Sequence, residues 1–185
     1  MTGLYGGVFD PPHNGHVALA EAAPDHFPLE RLLVLVAVDP PHKPADLDFA
    51  TRFELARLAF AGLPRTEVVG DEHGRTIDML RAGSFDDPIF LVGADQFTDF
   101  LSWKEPNAVL ELARLGVATR PGYPWKRLEP VLGRLERPER VEFFEIPPVD
   151  VSSSDLRRRL SEGRPVDGLV PDPVAREIEV AGLYR

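Results

Sequence analysis

Apolar residues along the chain gather into short runs of strand length that alternate with stretches of helical spacing. Leu4-Tyr5 is a brief apolar segment running into Gly6-Gly7, and Val17, Ala18, Leu19, Ala20 and Ala23 form helix material, with Pro24 as its expected stop. Arg31 to Val38, RLLVLVAV, is a continuous apolar run, as expected of a parallel strand covered on both faces. Pro40, Pro41 and Pro44 then enforce a loop. Phe49, Phe53, Ala56 and Phe60 recur at helical spacing, Thr66 to Val69 reads as a strand, and Thr76 to Arg81 as a brief helix. Ile89 to Gly93, Leu115 to Thr119 and Val141 to Ile146 are further strands, with a helix over Ala108 to Arg114 between the first two. The final third is helical, over Ser153 to Glu162 and Pro173 to Ala181. Strands alternating with helices predict right-handed βαβ units, hence an α/β fold: a doubly wound, Rossmann-like, mostly parallel sheet with helices on both faces and a helical C-terminal segment. The stretch from Tyr123 to Arg140 is proline-spotted and reads as variable surface.

The length of 185 residues fits one domain. No apolar run reaches the roughly 18 residues of a bilayer span, and the first residues lack the pattern of a secretory signal. With no cysteine, disulfides and thiolate metal sites drop out, which fits a cytoplasmic protein. The formal charge of −9 argues against nonspecific nucleic-acid binding. A phosphate-bearing ligand would therefore need a local cluster of cations and backbone N–H groups.

In a sheet of this kind ligands bind beyond the carboxyl ends of the strands, where the strand order reverses. The stretch GGVFDPPHNGH, Gly6 to His16, sits there because it follows the first strand directly. Gly6 and Gly7 allow positive φ and close approach of a ligand, and Pro11 and Pro12 stiffen the path. Gly15 and His16 start the next helix, whose free N–H groups suit an anion. His13 and His16 can both donate to phosphate oxygens. The spacing alone favours the bland reading, a solvated His13 with a helix-start His16, and gives weak support to a histidine-metal hydrolase using His13, His16 and His42. In VSSSDLRRRL, Ser152 and Asp155 have the spacing of a capping box, which leaves the arginines unexplained. Arg157 lies one turn beyond Ser153 on the same face, so hydroxyl, N–H groups and guanidinium could converge on one anion.

Taken together, these segments resemble the GG-x-FDP-x-H-x-GH motif and the serine-serine-x-x-x-arginine signature of the nucleotidyltransferase superfamily of α/β phosphodiesterases. More narrowly, the chain is similar to bacterial nicotinate-nucleotide adenylyltransferases. The similarity includes PPHK (Pro40 to Lys43), TID (Thr76 to Asp78), GADQFTDFLSWKEP (Gly93 to Pro106), RPGY (Arg120 to Tyr123) and the ending GLVPDPV…GLY. The resemblance implies one nucleotidyltransferase domain over residues 1–185, its helical segment starting at about 152. It implies ATP and nicotinate mononucleotide as substrates, with Mg²⁺ arriving on ATP and no metal held by the protein alone. A homo-oligomer is compatible with it. Gly7, Phe9, His13, His16, Gly93, Asp95, Ser153 and Arg157 would hold ATP, with His13, His16 and Arg157 catalytic. Lys43, Thr76, Trp103, Arg120 and Arg75 would hold the mononucleotide. Arg75 and Met79 depart from the tyrosine and threonine usual at these positions, and Arg75 is a candidate cation for the nicotinate carboxylate. Another acceptor, nicotinamide mononucleotide or phosphopantetheine, or a nucleotide-binding regulator without turnover, is the alternative.

Overall fold

The computed structural model describes residues 1–41 and 45–185. Six strands, β1 (Thr2–Gly7), β2 (Arg31–Ala37), β3 (Thr66–Asp71), β4 (Ile89–Gly93), β5 (Arg114–Thr119) and β6 (Val141–Glu145), form one sheet of order β3-β2-β1-β4-β5-β6. The expectation was a mostly parallel sheet; every pairing is parallel. The order reverses between β1 and β4, which pair through Gly3–Ile89, Leu4–Phe90 and Tyr5–Leu91. Their ends, Gly7 and Gly93, therefore flank the crevice expected at such a reversal.

Between the strands run α1 (Asn14–His26), α2 (Phe49–Phe60), α3 (Thr76–Ala82), α4 (Ala94–Thr98), α5 (Pro106–Leu112) and α6 (Glu129–Leu132), and after β6 come α7 (Ser153–Ser161) and α8 (Asp172–Ala181). The alternation of side chains along the strands divides the core in two. Tyr5, Val34, Val36 and Leu91 pack against Leu19 and Ala23 of α1, Leu55 and Phe60 of α2, Leu156 of α7 and Val174 of α8. Leu4, Leu35, Val92 and Val117 pack against Ile77 of α3, Phe97 of α4, Val109 of α5 and Val131 of α6. Both faces are thus covered, as the unbroken apolar runs require.

Three local expectations are corrected. Pro24 does not end α1, which continues to His26. So near a C-terminus a proline forfeits one hydrogen bond, and burial of Ala23 and Phe27, with the Phe27 N–H donating to Ala23 O at 2.9 Å, holds the last turn. Residues 123–140 are not merely surface, because Leu128, Val131 and Leu135 enter the core. The positive φ in the first loop falls on Phe9 at 52°, not on Gly6 or Gly7, which belong to β1.

Candidate active site

The loop from β1 into α1 is shaped by one inward aromatic ring. Phe9 is 2 % exposed and packs edge-on against Tyr5, Phe60 and His16, with ring centroids 5.7, 5.6 and 5.1 Å away. A Cβ on Gly7 would meet that ring at 2.8 Å, so Gly7 is small to admit Phe9. The left-handed backbone at Phe9 costs roughly 1–3 kcal/mol. It is offset by Arg52, a side chain of α2 that is 1 % exposed and donates to Val8 O, Ala37 O, Val38 O and Leu47 O at 2.8–3.1 Å. One guanidinium thereby ties the ends of β1 and β2 to the following loop. Its countercharge is Asp10, 2 % exposed, whose carboxylate accepts from the Asp46 N–H and the Tyr184 hydroxyl, both at 2.6 Å. Burial, then the bond to Asp10, raises the Tyr184 phenol so that it stays protonated and donating.

His13 is the N-cap of α1 rather than a solvated loop residue. Its Nδ1 accepts from the His16 N–H at 3.3 Å, and His16 Nδ1 accepts from the His13 N–H at 3.1 Å. The two imidazoles are stacked, centroids 3.6 Å apart at 21°. Both Nδ1 atoms act as acceptors, so the neutral tautomer inferred from these bonds carries its proton on Nε2 in each ring. The reciprocal cap thus leaves the Nε2–H of each ring as its donor. Burial pushes the His13 imidazole down to about 4, partly opposed by its backbone bond, so it is neutral at pH 7.

Helix α7 closes this corner from the far end of the chain. Ser152 caps it by accepting from the Asp155 N–H at 3.1 Å. The next hydroxyl, Ser153, donates to Pro11 O at 2.9 Å, and Arg157 donates to Asp10 O at 2.8 Å while its Nε meets Asp46 at 3.0 Å. The cap reading is met by Ser152, while Ser153 and Arg157, the residues of the anion-cradle reading, border the cleft and bond to the β1–α1 loop.

On the opposite side the wall is Gly93, Asp95, Arg120, Thr76, Arg75 and Trp103. Asp95 does not cap α4, whose N-cap is Gly93; its carboxylate accepts from the Tyr123 hydroxyl at 3.0 Å and faces Arg120 at 3.7 Å. Arg120 also donates to Val149 O at 3.3 Å. Trp103 meets Phe90 and Phe100 edge-on, at 6.1 and 5.2 Å. Its loop is pinned to α3 from outside: Lys104 donates to Asp78 at 2.8 Å, and Arg81 makes a two-pronged pair with Glu105 at 2.6 and 3.0 Å. Met79 is buried and contributes to the cleft wall.

These groups line one cleft of about 750 Å³ over the β1/β4 reversal. Of the residues expected to form the site, Gly7, Phe9, His13, His16, Gly93, Asp95, Ser153, Arg157, Thr76, Trp103, Arg120 and Arg75 all border it. Phe9 can offer only main chain, since its ring lies beneath His16. Lys43, like His42, falls outside the described residues. Sequence reasoning missed Arg52, Asp10, Asp46 and Tyr184. Arg52 had a signal, as a lone arginine on the face that carries Ala56; Asp10 and Tyr184 lie in the quoted FDP and GLY segments, but no spacing joins the two.

A family model described as Cytidylyltransferase-like matches residues 4–159 of this chain. A Thermus thermophilus protein named "Probable nicotinate-nucleotide adenylyltransferase" is 40% identical over 192 residues, covering 99% of this chain and 98% of the relative. A Rubrobacter xylanophilus protein of the same name is 36% identical over 196 residues, covering 100% and 92%. Among solved structures, a Plasmodium falciparum nicotinic acid mononucleotide adenylyltransferase complexed with NaAD aligns with a TM-score of 0.82 over 99% of this chain and 96% of that one. At 17% identity that likeness speaks for the fold.

Proposed function

The chain belongs to the nicotinate-nucleotide adenylyltransferase family, within the cytidylyltransferase-like group, and on that premise we propose that it transfers the AMP part of ATP to nicotinate mononucleotide, releasing pyrophosphate. The observation that carries the assignment of roles is the docking of Ser153 and Arg157 onto Pro11 and Asp10, across 142 and 147 positions of sequence, which joins the two phosphate-type motifs at one strand reversal.

ATP enters as its magnesium complex. The magnesium ion would offset charge on the phosphates; of the carboxylates bordering the cleft, Asp10 accepts from Tyr184 and Asp46, Asp71 from His73, and Asp95 from Tyr123. Gly7 and Gly93 bring main chain to the nucleotide, with Asp95 on the ribose and adenine side. Ser153 and Arg157 take the β- and γ-phosphates. The phosphate of the mononucleotide, near Arg120, attacks the α-phosphorus in line. One P–O bond forms as the bond to the departing pyrophosphate breaks. The attacking oxygen already bears charge, so neither a general base nor a covalent enzyme intermediate is required. Catalysis is positioning plus two fixed Nε2–H donors, His13 and His16, aimed where charge grows. Thr76 and Trp103 border the pyridine ring.

The test is pyrophosphate release from MgATP with nicotinate mononucleotide, nicotinamide mononucleotide, phosphopantetheine or no acceptor. Turnover fastest with nicotinate mononucleotide, and the dinucleotide formed in equal amount to pyrophosphate, is expected. Faster turnover with another acceptor would reassign the substrate, and ATP binding without turnover on any acceptor would make the protein a regulator.

A further inference from the structure

Three arginines reach the cleft, and two are engaged within the protein: Arg157 with Asp46 and Asp10 O, Arg120 with Asp95 and Val149 O. The side chain of the third, Arg75, makes no hydrogen bond or ion pair with any described residue. It stands at the N-cap of α3, where a side-chain acceptor would be useful, but a guanidinium only donates and makes no cap bond. The acids around it are matched elsewhere. Asp78 accepts both of its bonds from Lys104, at 2.8 and 3.0 Å, and feels Arg75 only at longer range. Glu105 is held by Arg81, and Asp71 accepts from the His73 backbone and faces the His73 ring, both at 3.0 Å. A half-buried positive charge thus lines the same cavity as Thr76, Met79 and Trp103.

Building on the proposed function, we infer that Arg75 selects the acid form of the acceptor by pairing with the carboxylate on its pyridine ring. The acceptor's other anionic group, its phosphate, has to reach the ATP α-phosphate at the β1/β4 reversal, where His13 and His16 lie. The charge left for a cation at the Trp103 end is the ring substituent. A carboxylate gives the guanidinium two acceptor oxygens and a countercharge. A carboxamide gives one oxygen and presents an NH₂ donor to a group made only of donors. A site built around such a pair rejects the uncharged analogue because the pair is lost while desolvation of the cation remains.

The experiment compares kcat/KM for nicotinate and nicotinamide mononucleotides in the wild type, Arg75→Gln and Arg75→Lys, with thermal melting as the fold control. Arg75→Gln should lower the acid-to-amide ratio by about 10–100-fold, chiefly through KM for the acid, and Arg75→Lys should restore part of it. An equal loss on both acceptors would place Arg75 on the common phosphate or in the fold and overturn the inference, as would an unchanged ratio. Should Arg75→Gln melt early, the Arg75→Lys ratio and equilibrium binding of the two mononucleotides to the wild type decide, and equal affinity for both overturns it. A wild type that makes no pyrophosphate with nicotinate mononucleotide would instead defeat the proposed function itself.

Discussion

At the end of the cleft proposed to take the phosphates the polar groups are already committed, His13 and His16 to each other's backbone, Arg157 to Asp46, Asp10 to Tyr184, whereas at the end proposed to take the pyridine ring the Arg75 side chain has no partner among the described residues and the nearby acids Asp78, Glu105 and Asp71 are matched to other donors. The first arrangement spends its interactions on geometry. A ligand there exchanges one set of partners for another, so net ground-state binding is modest, but donors that need not move are in place for charge that develops in the transition state. The second arrangement keeps a charge in reserve, and its pairing is realised as soon as the substrate binds. Damage at the phosphate end should therefore appear mainly in kcat, and damage at the ring end mainly in KM.

The harshest test of that division is His16→Ala. It removes one of two fixed donors and should lower kcat by about 10²–10³, which is ~3–4 kcal/mol of transition-state stabilisation, with a far smaller change in either KM. Steady-state pyrophosphate release reads this out, and circular dichroism checks the helix that His13 still caps. A folded variant with near-wild-type turnover would defeat the assignment. One whose loss lay in KM would erase the distinction between the two ends.

Next in size is the cost of keeping His13 neutral. Its ordinary value of about 6.5 is lowered to about 4 in the folded chain. Between those values the unfolded chain binds a proton that the folded chain refuses, so stability is complete above about pH 6.5 and declines as pH falls toward 4, by up to ~3 kcal/mol. His13→Asn keeps a good N-cap and removes the titration. Urea melts at pH 7.5 and 4.5 should show the wild type losing the more stability of the two; parallel losses would mean that His13 is not the group refusing the proton. Phosphate oxygens reverse the preference by stabilising the imidazolium, so ATP binding in this window should take up a proton.

Much of this was legible in the chain. The strand over Ile89 to Gly93 and the helix face through Phe49, Phe53, Ala56 and Phe60 were readable because a doubly covered sheet demands unbroken apolar runs and a helix a 3.6-residue period. The extent of β1 was not, since Gly6 and Gly7 carry no hydrophobic signal although their backbone pairs with β2. The two motifs identified the cleft, but the spacing of His13 and His16 could not reveal a reciprocal cap, because that depends on which ring nitrogen meets which N–H. Nor could local pattern expose the Asp10–Tyr184 bond, between residues 174 positions apart. What stayed hidden was the long-range polar scaffolding, which has no period.

The scaffolding also supplies the smallest and most discriminating test, a pair of conservative losses at the two ends. Tyr184→Phe keeps the ring but deprives a buried carboxylate of one of its donors, which should cost about 1–3 kcal/mol in urea melts. Because Asp10 adjoins the loop that carries His13, kcat should fall several-fold with it. Lys104→Met keeps the length of the side chain and breaks a solvent-facing pair behind Trp103. Exposed pairs of this kind are screened by salt and worth little, so melting should not change measurably. The looser Trp103 loop should instead raise KM for the mononucleotide slightly, and only at low ionic strength. If Lys104→Met proved the more damaging to kcat, geometry would be held by the exposed pins rather than by the buried bond. The committed and the reserved ends of the cleft would then have to be exchanged.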